Sequence, residues 1–407
     1  MVKQGVNKGR RKFIKEGAIG LAGAAFLPSV IRMEKKAPAK DTEKERKFIY
    51  RTLGKTGIKL PIISMGSVWI ENPKLVSAAL AAGIVHLDTS NNTFVRNQEM
   101  IRPIIKERPR ESLVISTKVE EPRRNPRTGL FRKETKAGPF IKRFEGSLKR
   151  LGLEYVDIIY LHDISRKEAA VFEPFLEAME KLKKEGKTRF IGLSTHRHEP
   201  EVIRAAVESK IYDVVLTAYN FRQHHREEVK KAIAFAAESG LGVVAMKTMA
   251  GVYWDRERKH PINTKAALKW VLQDENVHTT VPGITTFDQL EQNLSVMEDL
   301  ALTPEEKADL KLGEKLALTG LYCQQCEKCL AQCPGNFDIP TSMRSYMYAY
   351  GYGNPSLARK TLEKLDLDGV PCKNCSTCQV ICSMGFDVRK KIMDIARIKA
   401  VPEEFLV

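Results

Sequence analysis

Eight short runs rich in β-branched and small apolar residues recur along the middle of the chain, with segments of helical periodicity between them. They span 62–67, 84–90, 113–118, 156–162, 188–195, 213–220, 242–248 and 279–284. The runs are almost continuously apolar, as strands covered on both faces of a parallel sheet must be. Between them apolar residues return every three or four positions; in 139–151, Phe140, Phe144 and Leu148 share one helix face. Eight such repeats over about 240 residues predict an α/β chain folded as a (β/α)8 TIM barrel. A doubly wound open sheet is the alternative, but its Gly-rich first turn for a dinucleotide is missing.

The barrel does not use the whole chain of 407 residues. With 43% hydrophobic and 29% charged residues, the composition excludes a disordered chain, a fibre and a polytopic membrane protein. The net charge is +17, which invites a nucleic-acid reading. Much of it lies in residues 1–39, where nine Lys/Arg face only Glu16 and Glu34. The rest is spread along helical stretches such as 181–187 and reads as solvated faces, so no nucleic-acid partner is expected.

That basic start has an order of its own. Arg10-Arg11-Lys12-Phe13-Ile14-Lys15 precedes a Gly- and Ala-rich apolar stretch from Ala18 to Ile31, then Ala37-Pro38-Ala39. The three regions resemble a twin-arginine export signal over 1–39. The resemblance implies a bacterial protein that is exported, periplasmic or membrane-associated; both cleavage and retention as an anchor are open.

In a barrel of this kind the chemistry sits at the C-terminal ends of the strands. Polar residues follow the apolar runs there: Asp88, Lys118, His162, Ser194 with Thr195, Tyr219 with Asn220, and Lys247. A Lys beside a carboxylate tunes a neighbouring acid, and a His orients a carbonyl oxygen. The pattern resembles the aldo-keto reductase family over residues 47–300, through YRTLGKTGIKLP, HLDTS, VISTKV, VDIIYLHD, GKTRFIGLST, AYN and VPGITTFDQLEQN in that order. The resemblance implies a barrel over 46–302 entered through an N-terminal β-hairpin, and reduction of carbonyls with NADPH or NADH. It maps Asp88, Lys118 and His162 onto catalytic positions. It places Ser194, Thr195, Tyr219 and Asn293 at the cofactor, with Tyr219 stacked on the nicotinamide and Ser194 on its carboxamide. The family's proton-donating Tyr falls on Thr93, and its carboxamide-binding Gln falls near Leu216. An aliphatic hydroxyl is a far weaker acid than a phenol, whose pKa is about 10.

All eight cysteines lie in residues 323–382, in two copies of C-x2-C-x2-C-x3-C. Three thiolates within seven residues hold three corners of a cubane, and a fourth closes it. Zinc sites use separated pairs, and disulfides are the other choice for an exported chain. The spacing resembles a ferredoxin with two [4Fe–4S] clusters, in which the fourth Cys serves the other cluster. That resemblance implies one cluster on Cys323, Cys326, Cys329 and Cys382, and a second on Cys372, Cys375, Cys378 and Cys333. The long spacer between the motifs reads as helical near 341–349 and 355–365, so 322–407 is a small, mostly α-helical ferredoxin-like domain. The tyrosines at 346, 348, 350 and 352 read as packing around the clusters rather than an electron-hopping chain. Residues 303–321 form the link, a helix opened by a capping box of Thr303 and Glu306.

Two functions fit these residues. One is a redox enzyme acting on a small carbonyl, alcohol or sugar-like substrate, exchanging electrons with an external carrier through the clusters. The other is a catalytically degenerate barrel serving as an electron-transfer or partner-binding subunit.

Overall fold

In the computed structural model, the hairpin of β1 (Tyr50–Thr52) and β2 (Lys59–Pro61) precedes eight parallel strands. These are β3 (Met65–Gly66), β4 (His86–Ser90), β5 (Val114–Val119), β6 (Val156–Leu161), β7 (Thr188–Thr195), β8 (Val214–Ala218), β9 (Gly242–Met246) and β10 (Thr279–Thr280). The structure describes residues 46–406 apart from 68–69, 92–94, 121–124, 126–127, 319, 336, 364, 366–371, 374 and 376. The export pattern over 1–39, and Thr93, lie outside the described residues.

The strands pair in chain order, and the ring closes between the first and the last through Ile63↔Thr280 and Gly66↔Gly283. At this seam both strands are shorter than the apolar runs that contain them. Pro61 and Pro282 supply no N–H to a ladder, and single bonds such as Gly66 N to Pro282 O (3.0 Å) do the closing.

Two apolar layers hold the barrel. The outer one packs helix faces on the strands, with Phe140, Phe144 and Phe175 wholly enclosed. The inner one fills the barrel with Ile158, Tyr160, Leu216 and Val244, joined from below by Leu53, Ile58 and Leu60 of the hairpin. The hairpin is therefore the stopper of the N-terminal end. A Cβ on Gly54 would meet the Gly242 backbone nitrogen at 2.4 Å, so this close approach needs glycine.

After the last barrel helix, Phe287–Glu298, the expected capping box is present: Thr303 Oγ1 accepts from Glu306 N (3.1 Å), and Glu306 accepts from Thr303 N (3.0 Å). The link is two short helices, Pro304–Leu310 and Leu312–Lys315, rather than one. Gly313 lies flat on Trp254 of the long loop after β9, where a side chain would strike the indole. The cysteine module adds α1 (Ile339–Tyr346), a π-turn Met347–Gly351, α2 (Pro355–Glu363) and α3 (Val388–Ala396). It packs across the C-terminal mouth of the barrel, bringing α1 and α2 to the cavity there.

Candidate active site and cluster sites

The floor of the mouth is an ion pair. β4 and β5 run side by side with Ser90 opposite Lys118, and alternation turns Asp88 and Lys118 inward. Lys118 Nζ donates to Asp88 Oδ2 and to Thr89 O (3.1 Å), while Ser116 Oγ donates to Asp88 Oδ1 (2.7 Å). Both charged side chains are almost sealed from bulk water. Below them His86 bridges Ser116 (2.9 Å) and Ser64 (3.0 Å). Because Ser116 gives its proton to the carboxylate, it accepts from His86, which fixes the proton on Nε2. Burial holds His86 neutral, its pKa down to about 4.

A second polar group surrounds His162, at the end of β6. Its Nδ1 lies 4.0 Å from Glu120, and its ring meets His196 edge to face at 6.0 Å. Burial, followed by Lys247, drives His196 well below its ordinary range. Asp163 and Lys247 both have left-handed backbones at strand ends, with φ of 57° and 54°. Ser194 Oγ anchors the first by accepting from Asp163 N (3.0 Å). Asn220 anchors the second, donating to Lys247 O (3.2 Å) and to Tyr322 Oη (2.9 Å), one residue before Cys323.

Asp88, Lys118, His162 and Lys247 open on one cavity of about 400 Å³. Its roof comes from the cysteine module: Arg344, Tyr348, Tyr352, Leu357 and Lys360. Arg344 sits 3.9 Å from Asp163, and Lys247 donates to Tyr348 Oη at 2.5 Å. These roof residues were not singled out as a site from sequence. Their signal is the i, i+4 spacing of Arg344, Tyr348 and Tyr352, which places them on one face. The four tyrosines form two ring pairs: Tyr346 tilted against Tyr350 (4.5 Å) beside Arg256, and Tyr348 edge to face with Tyr352 (5.8 Å) at the cavity.

The expected cofactor contacts divide. Asn293 lines the cavity, and its buried Nδ2 has no hydrogen-bond partner among the described residues. Ser194 and Thr195 are enclosed, the first bound to Asp163 and the second donating to Arg197 O (2.9 Å). Tyr219 departs from the expectation of a nicotinamide stack. Leu216 of β8 points into the barrel, so alternation sends Tyr219 outward, onto Trp270 at 5.1 Å. The wall there is Met246 and Lys247 of the next strand.

The eight thiols are all free, and they gather across the two motifs. Cys323, Cys326, Cys329 and Cys382 line one small cavity with Met343 and Met384. Burial, together with the charges of Cys382 and Cys326, pushes the Cys323 thiol up to about 11. Burial, with Cys375, Cys333 and Cys378, does the same to Cys372. Among the described residues no three His, Cys, Asp or Glu side chains close on one point as a single metal ion requires. Thiols set around a void instead suit the separated corners of a cubane. Backbone amides reach two of the sulfurs, Gln325 N to Cys323 (3.5 Å) and Met384 N to Cys382 (3.4 Å), a contact that tunes cluster potentials.

Residues 71–266 match the aldo/keto reductase family, and residues 322–387 match a 4Fe-4S dicluster domain. Among characterised proteins, the chain is 24% identical over 322 residues to the L-glyceraldehyde 3-phosphate reductase of Escherichia coli, covering 64% of this chain and 91% of that one. It is 25% identical over 300 residues to the L-galactose dehydrogenase of Arabidopsis thaliana, covering 62% and 89%. The fold is shared with a holo aldo-keto reductase of Bacillus halodurans, at a TM-score of 0.52 and 21% identity over 65% of this chain and 96% of that one. The two matched segments make the chain an oxidoreductase with an iron–sulfur module.

Proposed function

We propose that this iron–sulfur oxidoreductase interconverts a small carbonyl compound and its alcohol in the barrel mouth, with electrons passing through two [4Fe–4S] clusters. One observation carries the reading. On α1, Met343 lines the first thiol cavity and the next residue, Arg344, lines the mouth cavity. Neighbouring residues of one helix therefore line both sites.

A bound nicotinamide dinucleotide would exchange hydride with the substrate carbon, the clusters would exchange electrons with that nucleotide one at a time, and the remaining tasks fall to side chains. Lys118, held by Asp88, presents a fixed positive charge to a substrate oxygen. His162 orients that oxygen. The charged lining, Lys118, Lys247, Arg344 and Lys360 against Asp88 and Asp163, favours a substrate that also carries a phosphate or carboxylate. A phosphorylated hydroxyaldehyde, the kind named for the E. coli relative, fits that balance. The Asn293 Nδ2, without a partner among the described residues, suits a dinucleotide beside the substrate, so NADPH or NADH belongs to this reading.

An external carrier would meet the exposed edge of the module, where Cys326, Cys375 and Cys378 reach the surface and Ile381 is 80% exposed. Export by the twin-arginine route is consistent with a module that folds around its clusters first.

The test is anaerobic and uses cluster-loaded protein. NADPH and NADH are titrated against Trp fluorescence. Glyceraldehyde 3-phosphate, glyceraldehyde and their alcohols are added while cluster reduction is followed by electron paramagnetic resonance. Reduction by a phosphorylated alcohol, or oxidation by its aldehyde, is the expected result. If neither nucleotide binds and no member of the panel alters the clusters, the reading fails.

A further inference from the structure

The position five residues after Asp88 carries Thr93, so the barrel strand ends bring no phenol to the acid's expected place. Among the described residues lining the mouth cavity, the phenols are Tyr348 and Tyr352, and both belong to the cysteine module. They are not equivalent. Tyr348 Oη accepts from Lys247, whose ammonium also stands 4.8 Å from the ring centre, whereas no described cation donates to Tyr352 Oη.

We propose that Tyr348 is the acid–base residue of the barrel site, a phenol delivered by the iron–sulfur module to a cavity whose described barrel residues include none. The proposal rests on the carbonyl–alcohol reading above. In reduction, the C=O π bond breaks, the carbon takes a hydride from reduced nicotinamide dinucleotide, and the oxygen takes the Tyr348 proton. The products are the alcohol, oxidised nicotinamide and a tyrosinate beside Lys247, which regains its proton from solvent. Oxidation of the alcohol runs the same transfers backward.

Three geometric facts support it. Tyr348 lines the same cavity as Lys118 and His162. Lys247 is aimed by a left-handed backbone that Asn220 holds through its carbonyl, so the Lys–Tyr contact is built rather than incidental. The groups facing Tyr348 are Lys247 just after β9, Arg344 from α1, Asp163 from the loop after β6, and Tyr352. Burial would raise Tyr348, but the two cations outweigh it and Asp163, and the phenol falls below its ordinary value. Tyr346, Tyr350 and Tyr352, from the same stretch, all move upward.

The experiment compares wild type, Tyr348→Phe, Lys247→Met and Tyr350→Phe as full, cluster-loaded proteins. Cluster resonances and iron content verify folding. Ultraviolet difference titration should show one tyrosine ionising below about 10 in wild type and Y350F, absent in Y348F, and shifted upward in K247M. With NADPH and glyceraldehyde 3-phosphate, Y348F should lose about 100-fold or more in kcat at little-changed KM. Its basic limb in the pH profile should vanish with it. A Y348F protein that keeps wild-type kcat, or a titration that loses no depressed phenol, overturns the assignment. If wild type reduces no aldehyde, the carbonyl reading falls separately. The titration then decides: a depressed phenol lost in Y348F retains Tyr348 as the site's acid, and an ordinary one removes it.

Discussion

Glu327, one residue beyond Cys326, is locked to Arg197 of the barrel by a 3.0 Å ion pair in which both side chains are nearly enclosed. Arg166 and His198 (3.1 Å) hold the other carboxylate oxygen. Burial alone would raise this carboxyl, but His198, Arg166 and Arg197 bring it down to about 2. The residue therefore pins the first thiol set to the loops after β6 and β7. Replacing it strands Arg197, only 4% exposed, without a counter-charge. Glu327→Gln should destabilise the docked module by about 3–5 kcal/mol, the cost of one partner lost from a buried pair. Urea unfolding and protease cleavage of the link should both register it. A variant as resistant as wild type would mean that the apolar contacts dock the module unaided.

The thiol groupings make a paired prediction. If the fourth cysteine of each motif serves the other cluster, Cys323→Ser and Cys382→Ser should perturb the same paramagnetic signal. Cys333→Ser and Cys372→Ser should perturb the other. The opposite pairing, Cys323 with Cys333, would show that the gathering of Cys382 with Cys323, Cys326 and Cys329 does not survive cluster insertion.

The floor of the site is legible in the sequence and its roof is not, for a physical reason. Asp88, Lys118 and His162 each follow an apolar run, and a strand fixes where the next residue points. Tyr219 shows the limit of that logic. One residue of register separates the barrel interior from the outer wall, and only the pairing with β9 settles which side it takes. Arg344 and Tyr348 lie far along the chain, and local periodicity shows that they share a face. Which partner that face meets depends on docking contacts such as Glu327–Arg197. Tyr346 and Tyr350 pack with Leu321, Ala358 and Ile395 rather than among the cysteines, and Tyr348 and Tyr352 turn to the cavity.

His86 makes the barrel acid-sensitive. Its pKa is about 4 when folded, against about 6.5 in an unfolded chain. Its contribution is complete above the unfolded value. As pH falls between the two values the unfolded chain binds the extra proton, and stability declines by about 3 kcal/mol in all. Urea midpoints at about pH 7 and about pH 5 should differ in wild type and differ less in His86→Gln. His196 shifts in the same direction, so some slope should remain. An identical slope in the variant would place the acid sensitivity elsewhere.

The Asp88–Lys118 pair separates structure from chemistry. Both groups are buried, so removing either leaves a charge with no partner, at about 3–5 kcal/mol. Asp88→Asn and Lys118→Met should each lower the unfolding midpoint sharply. The double variant leaves no orphaned charge and should recover part of the loss, a coupling that a double-mutant cycle reads directly. Activity should not follow that recovery. If Lys118 supplies the positive charge at the substrate oxygen, the double variant remains at least about 100-fold slower than wild type despite its regained stability. A double variant that regains turnover together with stability would show the pair to be a structural clamp, and would move the chemistry to the Lys247–Tyr348 side of the cavity.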